Sequence, residues 1–131
     1  MATIQPVGWD GVWANPRMPA SGETVNGERF TIPRGTKSVS VHCPALVGTG
    51  ATVKFQALTP LVDIENGSET WTDIKVFDLT DGSFEALDGI VESTCVVIPA
   101  SAIGNTVVRF VASEDQSGTP SNIPVFCNFG G

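Results

Sequence analysis

The sequence predicts an all-β fold: a single β-sandwich of about eight short strands, preceded by an extended N-terminal arm. Apolar and polar residues alternate in short segments, which is typical of half-buried strands. Gly, Pro and Asp-Gly turns separate these segments at intervals of roughly 8–15 residues, and no long segment shows helical periodicity. The 131 residues fit one domain. The strand order, jelly-roll or immunoglobulin-like, stays open.

The first 28 residues lack a sustained periodicity and contain several Pro and Gly residues, which oppose regular elements. Two of the three tryptophans, Trp9 and Trp13, nevertheless lie in this stretch. Because large aromatic side chains favour burial, we expect an arm, residues 1–28, that packs on its own domain or on a neighbouring subunit. The sandwich then comprises residues 29–131. Removing Met1 to Glu28 is predicted to leave a folded domain that fails to assemble.

The strands follow in order from Arg29 onward. Within Ser38–Cys43, alternation places Val39, Val41 and Cys43 on the inner face and His42 on the outer face. An Asp-Gly pair at 81–82 predicts a hairpin, and residues 99–103 suit a short helical turn that ends at Gly104. The predicted strands are Phe30–Ile32, Ser38–Cys43, Thr52–Ala57, Trp71–Leu79, Phe84–Leu87, Thr94–Ile98, Val107–Val111 and Ile123–Cys127.

Charge and composition argue against several function classes. The net charge of −7 disfavours nucleic acid as a partner, and no apolar run or leader segment indicates a membrane span or secretion. The single histidine, His42, is predicted to lie on the opposite strand face from its neighbour Cys43, so a Cys–His pair is not expected there. No phosphate-binding, calcium or zinc motif occurs. We therefore predict no enzyme, catalytic residue, cofactor or metal.

Three cysteines, Cys43, Cys95 and Cys127, occur in apolar, strand-like contexts. Their odd number and their surroundings favour three free, buried thiols in a protein assembled in a reducing compartment. One disulfide with one free thiol is the alternative. We expect labelling of all three to be slow in the native protein.

The late strands are apolar on both faces, at residues 96–98 and 107–111. A strand buried on both faces is unusual in an open sandwich, so either the arm or loops cover the outer face, or another subunit does. We favour the subunit and expect Val108 and Phe110 to face outward and to lie in its interface. Arg109 is expected at the edge of this interface with a carboxylate partner. The predicted partner-interface residues are therefore Trp9, Trp13, Val108, Arg109 and Phe110, in a homo-oligomer for which a trimer is favoured and a dimer is possible.

Several phrases of the chain, including Phe30-Thr-Ile-Pro-Arg-Gly-Thr, Thr52-Val-Lys-Phe-Gln and Val107-Val-Arg-Phe-Val, together with the N-terminal arm, resemble the small all-β virion proteins of tailed bacteriophages. The likeness is to the head decoration, or cement, type. It implies a protein without catalytic residues that is assembled in the host cytoplasm, binds the major capsid protein on the outer capsid surface and braces joints between capsomers. The alternative is a phage tail or spike β-sandwich that binds host-surface glycan. Trp71 could stack on such a glycan, although packing in the core or in an interface is the favoured interpretation of this residue.

Overall fold

Two antiparallel sheets pack face to face and confirm the predicted β-sandwich. The structure, a computed structural model, describes residues 11–59, 69–78, 82–86, 89–99 and 106–130. These residues form strands and turns, without a helix among them. The strands are β1 (Gly11–Ala14), β2 (Arg17–Met18), β3 (Phe30–Ile32), β4 (Ser38–Cys43), β5 (Thr52–Leu58), β6 (Trp71–Asp73), β7 (Lys75–Asp78), β8 (Ser83–Ala86), β9 (Ile90–Val91), β10 (Thr94–Pro99), β11 (Thr106–Ala112), β12 (Ser121–Asn122) and β13 (Val125–Asn128).

The strands are paired in a nested order. The first sheet has the order β1-β13-β4-β10, and the second has the order β3-β11-β5-β6, with β9 also paired to β5. An early strand therefore pairs with a late one at each level: β1 with β13, β3 with β11, and β4 with β10. This is the strand order of a jelly roll, and it decides between the two topologies that the sequence left open. Two short ribbons, β2–β12 and β7–β8, lie outside the two sheets.

The core lies between the two sheets and is built from alternate residues of their strands. Val39 and Val41 of β4 are buried, as predicted, whereas His42 is exposed. From the second sheet, the rings of Phe55 and Phe110 lie 4.4 Å apart between centroids. Period-two geometry thus buries one face of each sheet and leaves the other outward.

The described part of the predicted arm, residues 11–28, belongs to the sandwich. β1 extends the first sheet through β13, β2 pairs with β12, and Asn26 forms an isolated bridge to Val111. Met18 is only 1% exposed and is part of the core. Pro and Gly interrupt the alternation before residue 29, and the domain boundary predicted from the sequence therefore lies there. These interruptions divide the segment into short strands, which pair with the end of the chain.

Two predicted interface residues lie instead in the core. Val108 is fully buried and Phe110 is 1% exposed, whereas Val107, Arg109 and Val111 face outward and are half-buried. The prediction that Val108 and Phe110 face outward is therefore wrong. The apolar run contains residues of both faces, and the register with β5, in which Phe110 is opposite Phe55, fixes which face is inside.

One predicted strand, Trp71–Leu79, is divided at Ile74. Its first part, β6, pairs with β5, and the Ile74 N–H donates to the Phe55 carbonyl oxygen (3.1 Å). Its second part, β7, forms the predicted hairpin with β8, and Gly82 in the turn has a φ of +73°. Apart from Pro99, which ends β10, the predicted helical turn at 99–103 lies outside the described residues.

Candidate functional site

The outer face of the first sheet carries an exposed apolar surface. The strand registers place Trp13, Phe126, Ser40 and Val97 in one row across the sheet. His42 and Cys95 are paired in the neighbouring row. Trp13 is 54% exposed and Val97 is 63% exposed. We call this surface the aromatic face and define it by Trp13, His42, Cys95, Val97 and Phe126.

Neighbouring side chains hold the aromatic face in place. The Trp13 ring lies 5.0 Å from the Phe126 ring and 5.5 Å from the His42 ring, measured between centroids. A Cβ atom at Gly11 would overlap the Phe126 ring and approach the Cys127 carbonyl oxygen, so the ring requires glycine at this position. Side chains that are already ordered lose little conformational entropy when a partner binds. The face is therefore preorganised for a contact.

Charged residues are absent from the four strands of the first sheet, although 16% of the whole chain is charged. The cores of protein–protein interfaces are likewise depleted of charged residues and enriched in aromatic ones. The second sheet differs, since its outer face carries Lys54, Asp73 and Arg109. The two outer faces of the sandwich are therefore chemically distinct.

The structure does not bring the predicted interface residues together. Trp13 lies on the aromatic face, Arg109 lies on the outer face of the other sheet, Val108 and Phe110 are in the core, and Trp9 lies outside the described residues. Sequence reasoning missed the rest of the aromatic face, although alternation had already placed His42 on the outer side of its strand. Predicting the whole aromatic face requires the pairing of β4 with β13 and β10, which the sequence does not show.

The exposure of Cys95 contradicts the prediction of three buried thiols. Cys43 and Cys127 are buried and Cys95 is exposed, and all three are free. Cys95 faces away from the core on edge strand β10, and its Sγ lies 3.9 Å from the His42 Nε2. His42 and Cys43 are on opposite faces, as predicted, and the Cys–His contact is formed instead between strands, by His42 and Cys95.

Thiol labelling separates the three cysteines. Burial, with a smaller contribution from Glu92, raises the pKa of Cys43 to about 11, and burial also raises the pKa of Cys127. At pH 8 both are therefore protonated as well as shielded, and the thiolate is the reactive form. We expect one fast label at Cys95 and two slow ones, and all three should react in denaturant. Mass spectrometry of the labelled Cys95→Ser variant checks the assignment; fast native labelling of that variant would contradict it.

A polar cleft lies beside the outer face of the second sheet. The guanidinium carbon of Arg109 is 4.3 Å from the Trp71 ring centroid, and that of Arg29 is 5.5 Å away. Arg29 forms an ion pair with Glu69 at 2.6 Å. We call this cleft, of about 210 Å³, the arginine cleft; it is lined by Ala20, Ser21, Glu23, Asn26, Gly27, Glu28, Arg29, Glu69, Trp71 and Arg109.

Hydrogen bonds and burial set the electrostatics of the arginine cleft. Burial lowers the pKa of Arg109, whereas the hydrogen bond from Arg29 holds the pKa of the Glu69 carboxyl below its ordinary value. Arg109 was expected to pair with a carboxylate. Its acceptor is instead the amide oxygen of Gln56, and no carboxylate of the described chain lies within 4 Å of its guanidinium.

The described ranges contain no group of three or more His, Cys, Asp or Glu side chains placed to hold a metal ion. Within the same ranges no helix is long and apolar enough to cross a membrane. The absence of enzymatic activity stays a prediction.

No family model matches the chain, and no curated protein matches it. Among solved structures, the SPBc2 prophage-derived protein YomS is similar, with a TM-score of 0.47 and 16% sequence identity over 89% of each chain. A likeness at this level assigns no function to the chain.

Proposed function

We propose that the protein is a structural virion protein of a tailed bacteriophage, which binds the outer surface of the capsid and braces the joints between capsomers. The observation that supports this proposal is the aromatic face. It combines exposed aromatic and aliphatic side chains with strands that carry no charge. An exposed apolar surface of this kind typically marks a protein–protein contact.

The proposed partner of the aromatic face is the major capsid protein. Trp13, held against Phe126 and His42, is the expected anchor, because tryptophan is enriched among the residues that dominate binding energy. The homo-oligomer, trimer or dimer, is predicted from the doubly apolar runs 96–98 and 107–111, and two of the interface residues predicted there, Val108 and Phe110, lie in the core. The proposal therefore assigns the exposed face to the capsid. Jelly rolls occur in viral capsid proteins and in lectins, so the fold agrees with the proposal without selecting it.

Substitution on the aromatic face tests the proposal. Val97→Asp places a carboxylate in the contact, and we expect it to weaken binding to bare capsids of the parent phage at least about tenfold, which corresponds to about 1.4 kcal/mol. Val91→Asp is the matched control: Val91 is also exposed (46%) but lies on β9 of the second sheet. Co-sedimentation with capsids measures both affinities. Equal binding by the two variants would contradict the proposal.

Copy number separates the proposed role from the alternative of a tail or spike module. A protein that braces capsomer joints is present in hundreds of copies per particle, whereas a tail component is present in a few tens or fewer. Quantitative mass spectrometry of purified particles measures this number. Sedimentation of the free protein in the same study shows whether it self-associates without the capsid.

A further inference from the structure

The arginine cleft contains a cation whose position is fixed by a chain of polar contacts. Both Nε and Nη2 of Arg109 donate to the Gln56 Oε1, at 3.0 Å and 2.9 Å. The Gln56 Nε2 in turn donates to Asp73 (2.9 Å), and Asp73 forms an ion pair with Lys54 at 3.1 Å. Because the amide nitrogen of Gln56 is bound to Asp73, its oxygen is directed at Arg109. The Trp71 ring then supports the guanidinium by a cation–π contact.

Most of the donor capacity of Arg109 is unused. A guanidinium has five N–H donors, and the described residues accept from only two of its nitrogens, Nε and Nη2. None of the buried side-chain nitrogens and oxygens in the described chain lacks a partner, so the unpaired nitrogen Nη1 is accessible to solvent, and Arg109 lines the cleft. An accessible, preorganised fork of N–H donors suits a planar carboxylate.

Glutamate side chains in the lining of the cleft supply acceptors. One carboxylate oxygen of Glu23 accepts from Asn26 at 3.0 Å, and one oxygen of Glu28 accepts from the Arg17 N–H at 2.5 Å. The second oxygen of each carboxylate remains for a donor from outside, such as a hydroxyl group. Three glutamates in the lining, Glu23, Glu28 and Glu69, also disfavour a multiply charged anion such as phosphate. The fitting ligand carries one carboxylate and several hydroxyl groups.

The size of the cleft limits the ligand further. Its volume of about 210 Å³ lies below the roughly 300–1,000 Å³ of sites for drug-sized ligands. We propose that the arginine cleft binds a single acidic monosaccharide unit, a uronic or sialic acid residue of a glycan, with its carboxylate on Arg109 and its hydroxyl groups on Glu23 and Glu28. This inference goes beyond the proposed function. The cleft and the aromatic face are on opposite sheets, so both can be occupied at once.

Trp71 supports the guanidinium of Arg109, which is not a role that the sequence predicted. The sequence favours packing in the core or in an interface and leaves stacking on a sugar as the lesser alternative, but the Arg109 guanidinium lies over the Trp71 ring. We assign Trp71 to positioning Arg109. Its proximity to the bound carboxylate also makes its fluorescence a reporter of binding.

Titration with defined sugars tests the proposal. The probes are methyl glucuronide, N-acetylneuraminic acid, glucose as a neutral sugar, and acetate as a carboxylate without hydroxyl groups. Ligand-observed NMR measures binding to the full chain, together with the change in total tryptophan fluorescence, to which Trp9 and Trp13 contribute as well as Trp71. We expect the two acidic sugars to bind at least about tenfold more tightly than glucose and acetate, since only they carry both a carboxylate and several hydroxyl groups. Equal affinity for glucose and glucuronide, or for acetate and glucuronide, would overturn the proposal.

Two variants of Arg109 test the assigned contact. Arg109→Gln removes the charge, and Arg109→Lys retains it but removes the fork; both are expected to weaken glucuronide binding at least about tenfold. Arg34→Gln, which removes an equal charge from an exposed turn residue, should bind like the unaltered protein. Thermal unfolding of each variant verifies the fold. A folded Arg109→Gln protein with unchanged glucuronide affinity would overturn the proposal, whatever the outcome of the capsid experiment.

Discussion

Deletion of residues 1–28 is expected to abolish folding of the remaining chain. The deletion removes β1, which forms an edge of the first sheet, and β2 with the buried Met18. It also exposes the N–H and C=O groups of β13 that pair with β1. Far-ultraviolet circular dichroism and urea titration of chain 29–131 measure the effect. A cooperative unfolding transition close to that of the full chain would instead support the separable arm that the sequence suggested.

A single substitution isolates the contribution of Met18. Replacing a buried methionine with alanine leaves a cavity and typically lowers the free energy of unfolding by about 2–5 kcal/mol. Met18→Ala is expected in this range. Arg17→Ala, at the adjacent exposed residue, should stay within about 0.5 kcal/mol of the unaltered protein. Equal effects of the two substitutions on the free energy of unfolding would contradict the assignment of Met18 to the core.

Phe110→Ala is expected to lower the free energy of unfolding by about 3–5 kcal/mol, the usual range for a buried phenylalanine. Phe110 packs on Phe55 at 4.4 Å and on Phe30 at 5.7 Å between ring centroids, and all of these contacts are lost. Urea denaturation measures the change. The half-buried Val107 on the same strand is the control, since Val107→Ala removes apolar contacts on the outward face.

The same experiment decides between a core and an interface position for Phe110. A residue in a subunit contact changes the oligomeric state and leaves the stability of the subunit nearly unaltered. A Phe110→Ala protein of unchanged stability and altered sedimentation would therefore contradict the structure. Val108→Asp and Phe110→Asp, which the sequence analysis expected to weaken assembly, are expected instead to prevent folding, because each buries an unpaired carboxylate.

The alternation of apolar and polar residues predicted most of the strands, because this pattern is visible within each strand segment by itself. Ser38–Cys43 is an example: its three inner residues are buried as expected. The hairpin at Gly82 was also predictable, since its turn is coded by adjacent residues. These features depend on interactions between near neighbours in the sequence.

Features that depend on pairing between distant segments were not predictable in this way. Residues 107–111 are apolar on both faces, so only the register with β5 shows that Phe110 is inside. Gln116 lies in a polar loop yet is 1% exposed, because its side chain forms two hydrogen bonds of 2.8 Å with the backbone of Val47. The aromatic face and the arginine cleft likewise combine side chains from segments that are far apart in the sequence.

The nested strand order has a consequence for how the chain reaches its native state. β1 and β13 are hydrogen-bonded neighbours, although Trp13 and its partner Phe126 lie about 110 residues apart in the sequence. Proteins dominated by such non-local pairings have a high contact order, and small all-β domains of this kind fold on a timescale of roughly milliseconds to seconds. During synthesis, β1 has no partner until β13 has left the ribosome. The first sheet is incomplete until then, and the unpaired early strands are exposed to aggregation.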